Sequence, residues 1–254
     1  MGSCFTLLFA VFILIINSAE AANGKVFREY IGAESESLRL ADVPINPKSR
    51  FISSFRSLST TPRQITLTKQ RGKAFFAPGS PETWVRNAMA SLTQIIKEYH
   101  IDGLDIDYEH FKTNPSVFAD CIGRLVTTLK QQKHISFASI APFEEVQSHY
   151  LALWNKYGND IDYVNFQFYA YNRLGVSEFK RHFDEQVSKY QGGSIMASII
   201  SKGSGGLRPE QGFFDACRDL KKEGKLGGIF IWCADESQGN HFSYEIQSQA
   251  LLAA

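Results

Sequence analysis

The chain has 254 residues, with 27 lysines and arginines against 26 aspartates and glutamates, and 44% of its residues are hydrophobic. This is the composition of an ordinary globular protein, and it excludes an intrinsically disordered chain, a collagen and a coiled coil. The near-neutral charge provides no basic patch for nucleic acid and no polybasic segment for a membrane surface, so neither partner is expected.

The N-terminus carries the longest apolar run in the sequence. This run, Phe5 to Ile16, is too short to cross a bilayer core of roughly 30 Å. The small residues of Ala19-Glu20-Ala21-Ala22 follow it. The pattern predicts a secretory signal peptide over residues 1–22, a single mature domain over residues 23–254, and an extracellular or vacuolar destination. No lysine or arginine precedes the run, so an uncleaved apolar tail is the alternative.

Three cysteines remain after residue 22. They are Cys121, Cys217 and Cys233, an odd number at wide spacing, which is not the pattern of a disulfide framework. Three buried thiols, or one disulfide and one free thiol, fit the sequence equally well.

Short runs of β-branched and aromatic residues recur along the chain and alternate with amphipathic stretches. This alternation predicts a parallel α/β architecture. The predicted strands are Val26–Ile31, Phe51–Phe55, Ile101–Asp107, Ile135–Ala141, Ile161–Tyr169, Ile195–Ile200 and Gly228–Cys233. The clearest helix begins at Ser80, with Pro81 at its first position. Further helices are predicted over Ser116–Gln132, Val176–Tyr190, Pro209–Glu223 and Phe242–Leu252.

One predicted strand carries polar side chains on a single face. Asn165, Gln167 and Tyr169 alternate with apolar residues, and successive strand side chains point to opposite faces. Such a face is expected near the C-terminal mouth of a (β/α)₈ barrel. A doubly wound parallel sheet is the alternative, but no G-x-G-x-x-G sequence follows any predicted strand.

Only seven strands are convincing, whereas a closed barrel needs eight. The shortfall lies between Arg56 and Pro78, an interval too short for a strand–helix–strand unit of roughly 30 residues or more. Lys73–Ala77 is at most a makeshift strand. We therefore predict a monomeric TIM-type barrel that is incomplete, with its third strand region missing between residues 56 and 80.

The segment from Asp102 to Glu109 carries the chemistry. Asp105, Asp107 and Glu109 are spaced i, i+2 and i+4, so they share one face of a strand. Three carboxyl groups crowded in a partly buried site repel one another, and some must stay protonated. A protonated glutamic acid can protonate a leaving-group oxygen, and an ionised aspartate can stabilise developing positive charge.

Two other interpretations of this segment are a solvated acidic strand end and a divalent-cation site. The apolar residues on both sides disfavour the first, and the glycine of a calcium loop is absent from its expected place. The six histidines form no recognisable ligand pair. We therefore expect a site that uses no metal and no cofactor.

The segment from Asp102 to Glu109 resembles the D-x-x-D-x-D-x-E signature of family 18 glycoside hydrolases. With Val43-Pro44-Ile45-Asn46-Pro47, it resembles the plant chitinase-like branch, which includes bulb chitinases and the seed proteins narbonin and concanavalin B. The resemblance implies a TIM barrel that cleaves chitin or N-acetylglucosamine oligosaccharides at β-1,4 bonds with retention.

The resemblance also implies a role for each acid. Glu109 matches the catalytic acid. Asp107 matches the carboxylate that orients the substrate acetamido group and stabilises the oxazolinium ion formed from it, and Asp105 matches its proton-sharing partner. The nucleophile is then the carbonyl oxygen of the substrate itself, an exception to the scheme with two enzyme carboxylates.

The remaining site residues follow from the same resemblance. Tyr169, in Gln167-Phe168-Tyr169, is expected to hydrogen-bond the acetamido group. Gln167 is expected to bind substrate, and Trp232 is expected to form the floor of the sugar subsite. Weaker substrate-binding candidates are Tyr30 and Phe55, at the ends of the first two strands. The motif also includes Asp102 and Gly103, for which a structural role is expected.

The sequence departs from the family where the strand count fails. Family members carry a third strand ending in S-x-G-G, and this chain has no such sequence before Ser80. A loosely held site loses rate steeply, because small misplacements of reacting groups are costly. A catalytically impaired carbohydrate-binding or storage protein on the same scaffold is therefore the second hypothesis, and a truncated chain that does not fold stably is the third.

Overall fold

The computed structural model describes residues 11–16, 25–34, 38–48, 50–55 and 75–254, and for residues 11–16 and 53–55 it describes the backbone alone. In chain order, its strands are β1 Val11–Ile16, β2 Val26–Ile31, β3 Arg50–Phe55, β4 Phe75–Phe76, β5 Gly103–Ile106, β6 His110–Phe111, β7 Phe137–Ile140, β8 Tyr163–Val164, β9 Ser194–Ile200 and β10 Gly228–Trp232. Its helices are α1 Pro81–Tyr99, α2 Pro115–Gln131, α3 Gln147–Tyr157, α4 Val176–Lys189, α5 Phe213–Lys222, α6 Ala234–Ser237 and α7 Ser243–Ala253.

Eight strands close into a barrel in the order β1-β3-β2-β10-β9-β8-β7-β5. Seven of them run parallel and correspond one by one to the strands predicted from the sequence. Helices pack around the outside, as in a TIM-type barrel. The prediction of an incomplete TIM-type barrel is confirmed by the seven parallel strands, whereas most of the interval in which the third strand region was predicted to be missing, residues 56–74, lies outside the described residues.

Strand β1 lies between β3 and β5 and runs antiparallel to both. Ile13 is paired with Phe55 on β3 and with Leu104 on β5. This strand comes from the apolar run that the sequence assigns to a signal peptide, which stays a prediction. Cleavage after residue 22 would remove β1 and leave the facing edges of β3 and β5 without it.

Helix α1 forms as its sequence predicts. The side chain of Ser80 accepts a hydrogen bond from the N–H of Thr83, and Pro81 occupies the first helical position. One face of the helix is buried through Trp84, Val85, Ala88, Leu92 and Ile96. The helix ends at His100, whose backbone is left-handed at φ 53°.

Strand β8 and helix α3 differ from the sequence-based prediction. The strand predicted over Ile161–Tyr169 is regular only at Tyr163–Val164, because the hydroxyl of Ser198 accepts from the N–H of Phe168 at 2.8 Å and donates to the carbonyl of Phe166 at 2.8 Å. These side-chain bonds replace part of the strand ladder. Helix α3 is not among the predicted helices, since it buries only Gln147, Tyr150 and Leu153 and has no clear apolar stripe.

Strand β4 does not complete the barrel. Phe75 and Phe76 pair with His110 and Phe111 of β6 in a separate two-stranded sheet. The described part of Lys73–Ala77 therefore does not serve as an eighth barrel strand.

Most of the apolar core lies between the barrel and its helices, and a smaller cluster around Tyr30, Phe137 and Phe230 lies among the inward-facing side chains. Cys121, Cys217 and Cys233 are buried and form no disulfide. Within the described ranges, no helix has the length and apolar character needed to cross a membrane.

Candidate active site

The acid row extends from β5 toward the C-terminal mouth of the barrel. Gly103 and Asp105 lie in β5, and Asp107 and Glu109 follow at the same two-residue period. A side chain at Gly103 would collide with the ring of Phe137, because a Cβ there would lie 2.5 Å from the ring. The glycine therefore lets a large aromatic ring fill the barrel interior directly below the acids. Asp102 precedes the strand, and its carbonyl accepts a hydrogen bond from the N–H of Ser136 at 2.7 Å.

Asp105 is the most deeply held of the three acids. Its Oδ1 accepts from the hydroxyl of Ser139 at 2.5 Å and from the amide of Asn165 at 3.1 Å. Its Oδ2 lies 2.7 Å from Nη2 of Arg28 and accepts from the hydroxyl of Tyr30. Each oxygen thus already accepts from two donors. Four donors thus fix the orientation of this carboxyl group, and the sharing of a proton between Asp105 and Asp107 stays a prediction.

Asp107 and Glu109 are more exposed to solvent than Asp105, Glu109 the most. Asp107 is 9% exposed, and its Oδ1 accepts from the amide of Gln167 at 3.2 Å. The same amide donates to the carbonyl of Ala141 at 2.9 Å, which fixes its orientation. Glu109 is half-buried, and no hydrogen bond or ion pair joins its side chain to any other residue of the described ranges. Its carboxyl group is therefore available to a bound molecule.

Tyr169 lies in the 3-10 helix Phe168–Ala170, which follows β8, and Trp232 lies at the end of β10. Burial raises the pKa of Tyr169, and the charges of Asp107 and Glu109 raise it further, so its phenol stays protonated and can donate a hydrogen bond. Trp232 ends β10 and is partly exposed, with its ring centroid 5.0 Å from that of Tyr30.

Tyr30 lies near the end of β2, as predicted, and is fully buried there. It has no exposed surface, its hydroxyl donates to Asp105, and its ring lies against Trp232. Tyr30 thus contacts Asp105 and Trp232 from beneath the site, and its direct contact with substrate stays a prediction. Phe55 is the last residue of β3, and its side chain lies outside the described residues.

Three supporting residues were missed by sequence reasoning. Arg28 and Ser139 contact Asp105, and the hydroxyl of Tyr150 accepts from the N–H of Tyr108 at 2.7 Å and donates to its carbonyl at 3.0 Å. Arg28 had a detectable signal, since it is a charged residue within an apolar strand and two positions before Tyr30. Ser139 and Tyr150 had none. In the described part of the chain, no group of three or more His, Cys, Asp or Glu side chains is placed to hold a metal ion.

Comparison with known proteins places this site in a family, although no protein-family model matches the chain. The chain is 45% identical to the protein named Chitinase 1 from Tulipa saxatilis subsp. bakeri, over 98% of this chain and 94% of that protein. The alignment spans 294 positions, so at least 40 of them have no residue in a chain of 254. A missing strand and its helix are of this size.

Two solved structures share the fold closely. A family 18 chitinase from Crocus vernus superposes with a TM-score of 0.83 at 38% identity, covering 90% of this chain and all of that one. The catalytic domain of a GH18 chitinase from the fern Peteris ryukyuensis superposes with a TM-score of 0.79 at 35% identity, covering 91% of this chain and all of that one. With this identity over nearly the whole length, the chain belongs to glycoside hydrolase family 18 and is a relative of its plant chitinases.

Proposed function

We propose that this protein hydrolyses the β-1,4 bonds of chitin and of N-acetylglucosamine oligosaccharides with retention of configuration. One observation carries the proposal: the three acids follow one another from β5 toward the mouth of the barrel. Asp105 and Asp107 accept hydrogen bonds, whereas Glu109, the outermost, has no hydrogen-bond or ion-pair partner among the described residues. A proton donor beside a fixed carboxylate is the pair that glycoside cleavage requires.

In the proposed reaction, Glu109 protonates the glycosidic oxygen as the bond breaks. The carbonyl oxygen of the substrate acetamido group attacks the anomeric carbon from the opposite face and forms an oxazolinium ion. Asp107 stabilises this cation, and Tyr169 donates a hydrogen bond to the acetamido oxygen. Glu109 then removes a proton from the water that opens the ring, and the double displacement retains the configuration.

Trp232 is proposed as the floor of the sugar subsite. An indole face suits the apolar face of a pyranose and needs no charge to bind it. The partial exposure of Trp232 and its contact with the buried ring of Tyr30 support this role, because a supported ring keeps its orientation when a sugar binds.

The experiment is hydrolysis of N-acetylglucosamine oligomers by the purified wild type and Glu109→Gln, with Glu223→Gln as the matched control. Glu223 is an exposed surface residue paired with Lys180 and Lys225. We expect Glu109→Gln to lower kcat by at least about 10²-fold, the size of a general-acid contribution, and Glu223→Gln to leave it unchanged. Equal rates in the wild type and Glu109→Gln would reject the proposal.

A catalytically impaired carbohydrate-binding protein is the second candidate, and one observation favours it. The parallel strand that would flank β5 is missing from the described residues, and the antiparallel β1 stands in its place. Calorimetry would then show oligosaccharide binding that Trp232→Ala abolishes, with no product released. Sequencing the transcript across codons 56 to 80 would separate a genuine short form from a lost segment.

The protein is further proposed to be secreted or vacuolar, with residues 1–22 removed as a signal peptide, and to act as a monomer. The apolar run before Ala19-Glu20-Ala21-Ala22 supports removal. N-terminal sequencing of the protein recovered from a plant secretory system should begin near residue 23. Recovery of an intact N-terminus would contradict this assignment.

A further inference from the structure

A buried arginine lies beneath the acid row and is not part of the proposed chemistry. Arg28 is on β2, its side chain is 1% exposed, and its Nη2 is 2.7 Å from Oδ2 of Asp105. Its Nη1 donates to the hydroxyl of Ser139 at 2.7 Å, and that hydroxyl donates to the other oxygen of Asp105. The guanidinium therefore reaches both oxygens of Asp105, one directly and one through a serine.

The chemistry of this contact leaves one charge state for each partner. Arginine stays protonated in proteins, so a buried arginine requires a nearby anion. Among the described residues, Asp105 is the one carboxylate in an ion pair with Arg28. Both Asp105 oxygens are occupied by donors, so a proton on Asp105 would have to displace one of them. Together the two residues add no net charge to the site.

We propose that Arg28 is a positioning residue of the hydrolase site, which holds Asp105 as a carboxylate so that the transferable proton stays on the Asp107–Glu109 pair. This inference rests on the proposed function, because that function assigns the proton to Glu109. Arg28 lies below Tyr30 on the same strand face and does not touch the substrate in this scheme.

Arg28 affects the electrostatic environment of Asp107 and Glu109. With Arg28 present, the negative charge of Asp105 is compensated within 2.7 Å. Without it, an unpaired buried anion would lie two residues below Asp107 and would raise the proton affinity of the neighbouring acids. The other titratable groups around the pair in the described residues are Tyr30, Tyr150, Tyr163, Tyr169, Asp107 and Glu109.

The test is the pH dependence of kcat/KM on N-acetylglucosamine oligomers for Arg28→Gln, Arg28→Lys, Asp105→Asn and the double variant Arg28→Gln/Asp105→Asn. We expect the acidic limb of this pH profile to move to higher pH by about one unit in Arg28→Gln and to lower pH in Asp105→Asn. In the double variant it should return toward the wild-type position. Arg28→Lys retains the positive charge, so its acidic limb should lie at the wild-type pH. Arg124→Gln, at the partly exposed ion pair with Asp120 on α2, is the control and should leave the acidic limb at the wild-type pH.

An unchanged limb in Arg28→Gln and Asp105→Asn would overturn the inference, and so would the same shift in Arg28→Lys as in Arg28→Gln. If Arg28→Gln does not fold, Asp105→Asn and Arg28→Lys still carry the comparison.

If the wild type hydrolyses nothing, the proposed function fails, and the coupling between the charges of Arg28 and Asp105 is measured by thermal unfolding. Arg28→Gln should then lose more stability at pH 7 than at pH 4, and the added Asp105→Asn should recover it; absence of that recovery would overturn the inference independently of activity.

Discussion

Tyr150 illustrates how one residue outside the acid row controls its geometry. Its hydroxyl binds both the N–H and the carbonyl of Tyr108, the residue between Asp107 and Glu109. Burial raises the pKa of the Tyr150 phenol, so the hydroxyl keeps its proton as the pH rises. The backbone that joins the two outer acids is thus anchored to helix α3.

We predict that Tyr150→Phe slows catalysis without removing any acid. The buried N–H of Tyr108 would lose its acceptor, which costs about 1–3 kcal/mol of the free energy of unfolding. A small displacement of Asp107 and Glu109 should lower kcat about tenfold with a smaller change in KM. Urea unfolding and steady-state kinetics measure the two effects.

Tyr157→Phe is the matched control on the same helix. Within the described ranges, the hydroxyl of Tyr157 donates to the carboxylate of Asp120, at 3.4 Å and partly in solvent. It should therefore keep both stability and kcat. A Tyr150→Phe enzyme with the kcat of the wild type would show that the anchor is not needed.

At the scale of elements, the start of β5 is tightly packed inside the barrel. We predict that Gly103→Ala destabilises the protein by about 1–3 kcal/mol, because the new methyl group would overlap the Phe137 ring. Adding Phe137→Leu should recover part of the loss. Gly79→Ala is the control, since nothing lies within 4 Å of a Cβ at that position. Thermal melts of the four proteins test this, and a neutral Gly103→Ala would mean that the ring has room to move.

Strand β2 and helix α7 meet through two buried acids. Glu29 and Glu245 have no exposed surface, and no third residue within the described ranges donates a hydrogen bond to either carboxyl group. Burial raises the pKa of Glu29 well above its ordinary value, and the charges of Glu245 and Asp235 raise it further. Glu29 therefore keeps its proton in the folded protein at pH values where the unfolded chain has lost it.

The difference between the folded and unfolded pKa of Glu29 determines how the free energy of unfolding changes with pH. Below the pKa of unfolded Glu29, both states are protonated and the group costs no stability. As the pH rises above it, the folded state alone holds the proton, so stability falls by about 1.4 kcal/mol per pH unit until the folded pKa is reached. We predict that Glu29→Gln flattens the decline in urea-unfolding free energy between pH 4 and 7. Glu223→Gln should keep the wild-type slope, and equal slopes for Glu29→Gln and the wild type would contradict the prediction.

At the scale of the whole molecule, the barrel depends on what lies between β3 and β5. Removal of residues 1–22 takes away β1 and exposes two strand edges, which promotes association between chains. We predict that the chain beginning at residue 23 melts at a lower temperature than the full chain and scatters more light on heating. Equal melting and scattering of the two forms would show that the gap closes without β1.

Much of the fold was predictable because it depends on local patterns. The alternation of apolar runs identified the seven parallel strands, and the Ser80-Pro81 pair identified the start of α1. The boundaries near residue 164 were wrong because the Ser198 hydroxyl, contributed by a neighbouring strand, interrupts the ladder. Helix α3 was missed because its packing is decided by Tyr150 and Leu153 and not by a continuous apolar face.

The sequence by itself predicted that Asp105, Asp107 and Glu109 share one face, because the side chains of an extended chain alternate with a period of two, although β5 ends at Ile106. It also determined that a strand is lacking, since too few residues separate the second strand from α1. The tertiary structure alone decided that Arg28 and Ser139, 111 residues apart, meet at Asp105, that Glu29 faces Glu245, and that β1 stands beside β5. These contacts depend on the order and register in which the strands close, and no local pattern encodes them.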